Sequence, residues 1–342
     1  MRLSAAKSEL NYKKMKRIII DCDPGNGIAG ANTDDGLAIA LALASPGLSL
    51  ELITTVAGNT PSEVGARVAK DLIVRLGLAI PVVQGETRAL QEDPAPWRET
   101  LDNRVNQLAL SSLWQDVPPP AALTADAFDA ADAIGRLICD NPGEITLVAI
   151  GPLTNVALAM QRYPAMAESV AEIVIMGGVF ALDDYIKDTN FGLDPEAAYQ
   201  VLHSGAAVTL APMDVTTQTL LTQQDLTRLT AVNHPLTAFV RDTLRPWIDY
   251  SIATRQLEGC WIHDALVVAW LLNQRVASGI DYQVDIELRP GATRGKSWRY
   301  RRPLRLTVGV PEACGASVHV LHQVDNALLL SIIEEAFKRL KM

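Results

Sequence analysis

The sequence is short of positive charge. Among 342 residues there are 30 Lys and Arg against 39 Asp and Glu, a formal net charge of -9. That balance argues against a protein that binds nucleic acid by neutralising phosphates. It also disfavours polyanionic substrates, while acidic clusters favour cations and neutral polar ligands. Long apolar runs are missing too: Leu37–Ala44 is among the longest, far below the ~18 residues of a membrane span. The opening MRLSAAKSELNYKKMKR is charged and has no apolar core, so no secretory signal is expected and the cytoplasm is the expected compartment. Cysteine is scarce: Cys22, Cys139, Cys260 and Cys314 are scattered and form no CxxC. They read as reduced thiols, each a small buried hydrophobe rather than part of a disulfide frame. No HExxH or CxxC is present to hold zinc.

What is present is ordinary globular composition, 49% hydrophobic and 20% charged, enough apolar material to bury a core. Residues 1–16 read as a polar tail. Short β-branched runs then predict buried strands at Arg17–Cys22, Leu50–Val56, Ile80–Val83, Ile145–Ile150, Glu172–Met176 and Ala207–Ala211. Helical stretches separate them, at Thr33–Ala44, Pro61–Leu76, Asp126–Asp140, Pro152–Gln161 and Pro195–His203. This alternation predicts an α/β fold, an open, doubly wound, mostly parallel sheet. Residues 86–123, with PAPW and VPPP, break the rhythm and read as a lid or insertion. From Thr222 to Asn273 the pattern is helical. DYQVDIEL, LRLTVG and ASVHVL then suggest a small antiparallel hairpin region, and Val324–Met342 a closing helix. No internal repeat is visible, and residues 17–342 read as a single domain.

The informative residues follow the strands. Asp21-Cys22-Asp23-Pro24-Gly25, the loop NGIAGANT and Asp34-Asp35 follow the first, and Ala57-Gly58-Asn59 the second. Gly151-Pro152-Leu153-Thr154-Asn155, then Gly177-Gly178, then Pro212-Met213-Asp214 follow later ones. Ligands of open α/β sheets sit beyond the carboxyl ends of strands, so these groups are expected on one rim. Helix capping, with Thr33 as N-cap, would account for Asp34 and Asp35. It would not account for Asp21 and Asp23 at the end of a buried strand, where two like charges are costly unless a cation offsets them. A second cluster, Trp261-Ile262-His263-Asp264, opens a helix. There Asp264 is either an N-cap or another oxygen ligand, with His263 a titratable neighbour. In a third, Asp188-Thr189-Asn190-Phe191-Gly192-Leu193-Asp194-Pro195, the Asp-Pro pair reads as a helix start. Asp188 and Asn190 suit either hydroxyl recognition or an ordinary turn.

Taken together, DCDPG…DD, TTVAGN, LVAIGPLTN, IVIMGG, NFGLDPEAA, APMDVT and HDAL resemble, in order, the calcium-dependent nucleoside hydrolase family (inosine-uridine preferring nucleoside N-ribohydrolases), over residues 16–340. The resemblance implies hydrolysis of the N-glycosidic bond of ribonucleosides, with Ca2+ as cofactor and a homodimer or homotetramer as assembly. It implies that Asp23 is a calcium ligand that also deprotonates the attacking water. By the same resemblance Asp35, Asp264 and the carbonyl of Ile150 complete the metal set, and Asp21 supports the metal loop. Asp34, Asn59, Asp188 and Asn190 resemble the ribose-binding set, Met176 the residue lining the ribose, and His263 the histidine that protonates the leaving base in some members. The sequence departs from the family pattern at four places. Eight residues separate DPG from DD where one is usual. Asp188 stands where Glu is common, no Asn precedes it at 182–184, and no His occurs within 86–123. Purine and pyrimidine bases both stay open. On the residues alone, Trp247 or Tyr250 could stack a base or simply be packed. A haloacid-dehalogenase-like phosphohydrolase (from Asp21-Cys22-Asp23) and a non-catalytic nucleoside-binding protein are the competing readings.

Overall fold

The computed structural model describes residues 15–301 and 315–340. In chain order the elements are β1 (Lys16–Cys22), α1 (Asp34–Ala44), β2 (Leu48–Thr55), α2 (Ser62–Arg75), β3 (Val82–Gln84), α3 (Ala95–Gln107), β4 (Ala127–Phe128), α4 (Ala130–Cys139), β5 (Ile145–Ala149), α5 (Thr154–Arg162), α6 (Met166–Ser169), β6 (Glu172–Met176), α7 (Thr189–Leu193), α8 (Pro195–Leu202), β7 (Val208–Ala211), α9 (Met213–Thr216), α10 (Gln223–Leu229), α11 (Pro235–Arg255), α12 (His263–Leu272), β8 (Ala277–Ile286), β9 (Ser297–Tyr300), β10 (Ala316–Val324) and α13 (Asn326–Lys338).

The strands form one sheet in the order β4-β3-β2-β1-β5-β6-β7-β10-β8-β9. Pairing is parallel from β4 through β10, and antiparallel between β10 and β8 and between β8 and β9. The expected mostly parallel, doubly wound sheet is thus present. The C-terminal antiparallel strands extend it rather than standing apart, because β10 pairs with β7. Of the sequence expected to form that region, LRLTVG lies outside the described residues, and Ser297–Tyr300 supplies the edge strand. Alternation along β1 explains the layers. Ile18 and Ile20 point into a core shared with α1, α2, α11, α12 and α13. Ile19 points into another, shared with α4, α5 and α8. Strands buried on both faces are mostly apolar, which is why they read as nearly continuous apolar runs, broken by hydrogen-bonded groups such as Asp21 and Thr54.

Several boundaries shift. β1 starts at Lys16, and residues 1–14 of the expected tail lie outside the described residues. The helix expected from Asp126 starts at Ala130, after the two-residue strand β4. Thr33 precedes α1 but makes no side-chain capping bond, and its hydroxyl is buried without a partner. Residues 86–123 contain a real helix, α3, with Val105 and Trp114 buried. Cys22, Cys139 and Cys260 are free thiols, and Cys314 lies outside the described residues. Among the described residues no helix is long and apolar enough to cross a membrane.

The chain visits β1 to β4 on one side and then returns to place β5 on the other side of β1. This reversal opens a crevice beyond the carboxyl ends of β1 and β5, the place where such sheets bind ligands.

Candidate active site

A cavity of about 300 Å³ fills that crevice, lined at its floor by Asp23, Asp34, Asp35, Ile150, Met176, Asn190 and Asp264. β1 ends at Cys22, so Asp23 leaves the strand and turns into the cavity. The backbone N–H of Asn59 donates to its Oδ2 (2.7 Å). Gly58 makes that approach possible, because a Cβ there would lie 1.9 Å from the same oxygen. Asp34 and Asp35 open α1, and Asp35 Oδ1 accepts the N–H of Asp23 (3.0 Å). Asp264 stands in the first turn of α12, with Ile262 and not Asp264 at the cap position. Its N–H donates to Asp34 Oδ2 (3.2 Å).

Carboxylate oxygens of Asp34, Asp35 and Asp264 all lie within 4.8 Å of one another. Burial is the main cause that raises the pKa of all four floor aspartates, and repulsion from neighbouring acids adds to it for Asp23, Asp35 and Asp264. Asp23 is pushed up to about 7 and Asp34 to about 6, while Asp35 and Asp264 lie well above the usual range. Asp34 Oδ1 is buried with no partner. Hard oxygen donors, crowded and unsatisfied in this way, fit a divalent cation of the calcium type.

Asp21 does not join them. It points from β1 to the face of Ile19, where its Oδ1 accepts from Thr54 Oγ1 (2.6 Å) and Asn155 Nδ2 (2.8 Å). It ties β1 to its neighbours beneath the cavity, and strand alternation fails as a guide because the strand stops before Asp23. Asn59 lines the cavity, yet its amide is spent on the backbone. Nδ2 donates to Asn32 O (2.9 Å) and Asp23 O (3.2 Å), and Oδ1 accepts from Asn32 N (2.9 Å). It holds the end of the NGIAGANT loop in place. Asn190 Nδ2 donates to the carbonyls of Ile150 and Met176 (both 3.0 Å). Asp188 caps α7, accepting from Phe191 N (3.1 Å). Its Oδ1 is buried without a partner, and burial raises its pKa to about 6. Asp194 caps α8 and also accepts from Thr154 and Leu90, a structural role, as its Asp-Pro context suggested.

His263 lines the cavity with Nδ1 against Thr216 Oγ1 (2.6 Å). Burial, helped by the nearby Arg255 charge, lowers its pKa to about 3, so the ring is neutral near pH 7. Trp247 and Tyr250 do not line the cavity. They stack on each other (5.2 Å between ring centroids), and Tyr250 meets Trp114 edge-on (5.8 Å). The aromatic residues that do face it are Trp97, Tyr185 and Trp261.

A family model described as inosine-uridine preferring nucleoside hydrolase matches residues 18–331. The chain belongs to that family. Membership makes it an enzyme that hydrolyses the N-glycosidic bond of ribonucleosides, and it argues against the phosphohydrolase alternative. It is 32% identical over 282 residues to the pyrimidine-specific ribonucleoside hydrolase RihA of Enterobacter sp. (strain 638), covering 81% of this chain and 86% of the relative. Among solved structures, a plant nucleoside hydrolase shares 26% identity with a TM-score of 0.80, covering 94% of this chain and 99% of that one. A purine-preferring ribonucleoside hydrolase from Gardnerella vaginalis shares 27% identity with a TM-score of 0.76 over 94% and 99% of the two chains.

The roof of the nucleoside hydrolase cavity was not foreseen residue by residue. Trp97, Leu101 and Arg104 come from α3, Tyr185 and Lys187 from the loop before α7, Arg255 from the end of α11 and Trp261 from the α11–α12 connection. Arg104 Nε donates to Gly30 O (2.5 Å) and Arg98 Nη2 to Asn59 O (3.1 Å), so α3 is fastened to the NGIAGANT and Asn59 loops. The sequence did signal a covering segment at 86–123. Which of its side chains face inward depends on how α3 seats against a loop of irregular backbone, and α3 has only Val105 buried.

Proposed function

We propose that this hydrolase cleaves ribonucleosides to free base and ribose with Ca2+ as cofactor and Asp23 as general base. The observation that carries this reading is the meeting of Asp23, Asp34, Asp35 and Asp264 at one cavity floor. The carboxylates of Asp23, Asp35 and Asp264 and the carbonyl of Ile150 would hold the ion. Bound there, calcium would orient water and the ribose diol and offset the repulsion among the acids.

The remaining roles fall to the chain itself. Breaking the glycosidic bond leaves a positive, oxocarbenium-like ribosyl group. The acidic floor, with Asp34 and Asp188 facing the sugar, stabilises that charge. Asp23, held in place by the Asn59 N–H and the loop at Gly58, accepts a proton from the attacking water. Asn190 and Met176 shape the floor under the ribose, and Asn59 fixes the loop that carries Asp23. With Nδ1 of His263 engaged by Thr216 Oγ1, Nε2 is the ring nitrogen left to hydrogen-bond the leaving base.

The test is purified protein with a panel of purine and pyrimidine ribonucleosides and nitrophenyl riboside, with calcium and with a chelator. Ribose release that stops on verified metal removal and returns with calcium is the expected result. Release that persists unchanged without metal overturns the cofactor assignment. Light scattering checks the dimer or tetramer that the family resemblance implies.

A further inference from the structure

The roof of the cavity carries two arginines that the proposed mechanism leaves idle. Arg104 reaches in from α3 and Arg255 from the last turn of α11. Their guanidinium carbons lie 5.6 and 5.0 Å from the ring centroid of Trp247, and Arg255 lies 5.3 Å from that of Trp261. The rings of Trp261 and His263 meet edge-on at 5.7 Å, which ties this group to the cavity wall beside Asp264. Among the described residues neither arginine forms an ion pair. Arg104 spends Nε on Gly30 O, and its Nη2 is buried with no partner. Arg255 makes no hydrogen bond among the described residues. Burial lowers the Arg104 pKa only to about 10, so the side chain stays charged.

A desolvated cation without a carboxylate partner, as at the buried Nη2 of Arg104, is costly, and an aromatic face offsets only part of that cost. Arg255, half-buried, adds a second unpaired charge to the same cavity wall. Facing a ligand cavity, such charges are balanced when the ligand brings negative charge or strong acceptors. A ribose at the acidic floor brings neither, but the departing base does. When the C1′–N bond breaks heterolytically, its electron pair goes to the base nitrogen and spreads onto ring nitrogens and exocyclic oxygens. Water adds to C1′, and one of its protons passes to Asp23. The base anion takes up one proton from solvent and Asp23 later returns one, so the sum is nucleoside plus water giving ribose plus neutral base.

We propose that Arg104 and Arg255 form a cationic clamp that stabilises the leaving base as it departs with the electron pair. This rests on the hydrolase mechanism above. The planar guanidinium fork pairs with carbonyl oxygens and ring nitrogens but has no acceptor for an amino group. The clamp therefore favours oxo-bases, such as uracil and hypoxanthine, over amino-bases at the face it meets.

The experiment compares Arg255→Gln, Arg255→Lys and Arg104→Gln with wild type in calcium. Substrates are uridine, inosine, adenosine and nitrophenyl riboside, whose leaving group departs readily unaided. Arg255→Gln is expected to lose about 10²-fold in kcat/KM on uridine and inosine, with a loss at least about ten-fold smaller on nitrophenyl riboside. Arg255→Lys should recover part of the nucleoside rate, and Arg104→Gln should repeat the selective loss. Thermal unfolding identifies a variant that does not fold, in which case the other two decide. Equal losses on nucleosides and nitrophenyl riboside overturn the clamp and leave the hydrolase mechanism standing. So does faster wild-type turnover of nucleoside 5′-monophosphates than of nucleosides, which would assign the arginines to a phosphate. A wild-type protein inactive on every riboside overturns both readings.

Discussion

Asp23, Ile150 and Met176 reach the cavity from strand ends, and Asp264 from the start of a helix packed beside them. Trp97, Arg104, Tyr185 and Arg255 reach it from helices and loops laid across the opening. The floor is acidic and buried: Asp23, Asp34, Asp35 and Asp264 are each no more than 4% exposed. The roof is aromatic and cationic, and its side chains are mostly half-buried. On the proposed mechanism this difference separates two tasks. The floor would handle the sugar, the water and the charge at C1′, which every ribonucleoside shares. The roof would meet the base, the part that varies. RihA, described as pyrimidine-specific, and the Gardnerella enzyme, described as purine-preferring, differ in the part that a roof of this kind would read. Floor substitutions should therefore damage turnover on every substrate, and roof substitutions should act through the base: on its affinity, its discrimination and, at the two arginines, its departure.

The sharpest way to break this division is Asp23→Ala. Removing a general base costs about 10²- to 10⁴-fold, and the loss should appear in kcat on uridine, inosine and nitrophenyl riboside alike. A loss confined to one base would place Asp23 in recognition rather than chemistry.

Calcium is the next largest effect, read as stability. Folding raises the pKa of Asp23 to about 7 and of Asp34 to about 6, from an ordinary 3.8. A carboxyl whose pKa rises on folding binds its proton more tightly in the folded state. It supports folding below its unfolded pKa, and that support is lost as pH rises through the folded pKa. The metal-free protein should thus lose stability between about pH 4 and 7. A cation that replaces the lost protons should restore it. Calcium at a hundred times its Kd stabilises by about 2.7 kcal/mol, or roughly 5 °C in Tm for a chain of this size. Differential scanning calorimetry should show a larger calcium shift at pH 7.5 than at pH 5. A shift that is the same at both would separate the ion from the floor acids.

Gly58→Ala probes the floor's geometry without touching a charge. The added Cβ would lie 1.9 Å from Asp23 Oδ2, so the carboxylate or its loop must move. A displacement of about 1 Å is enough to cost up to 10²-fold in rate. We expect a fall of about ten-fold or more in kcat, with circular dichroism and the unfolding transition close to wild type.

The same contrast explains what was legible in the sequence. The strands and the acids behind them follow from local rules: β-branched runs mark buried strands, and the sheet brings its carboxyl ends together. Asp194 and Pro195 read correctly as a helix start for the same reason. Asp21, expected on the rim with Asp23, instead bonds Thr54 and Asn155, because β1 ends at Cys22 and only the chain after it turns into the cavity. Asn59 carries an amide suited to a sugar, but only the folded loop shows that Asn32 and Asp23 backbone groups have taken it. Trp247 and Trp97 are both tryptophans near helix positions, and nothing in their neighbours says that one stacks inside and the other faces a ligand. That depends on how α3 and α11 seat against loops, a matter of long-range side-chain packing rather than of local pattern.

Trp97→Ala tests the weakest part of the comparison. Its indole lies between Lys187, whose Nζ is 5.5 Å from the ring centroid, and Gly192, whose added Cβ would come within 3.3 Å of the ring. It therefore closes the roof over α7, the helix that carries Asn190, without touching an acid of the floor. Removing it opens the cavity to water and takes away an apolar wall, an effect of about 1 kcal/mol on ligand binding, or roughly five-fold in KM. Because no floor group moves, kcat on nitrophenyl riboside should stay within about two-fold of wild type. Steady-state kinetics on uridine and inosine should show KM rising on both. If instead kcat falls as far as it does for Gly58→Ala, the indole is holding the floor in register, and floor and roof act as one unit.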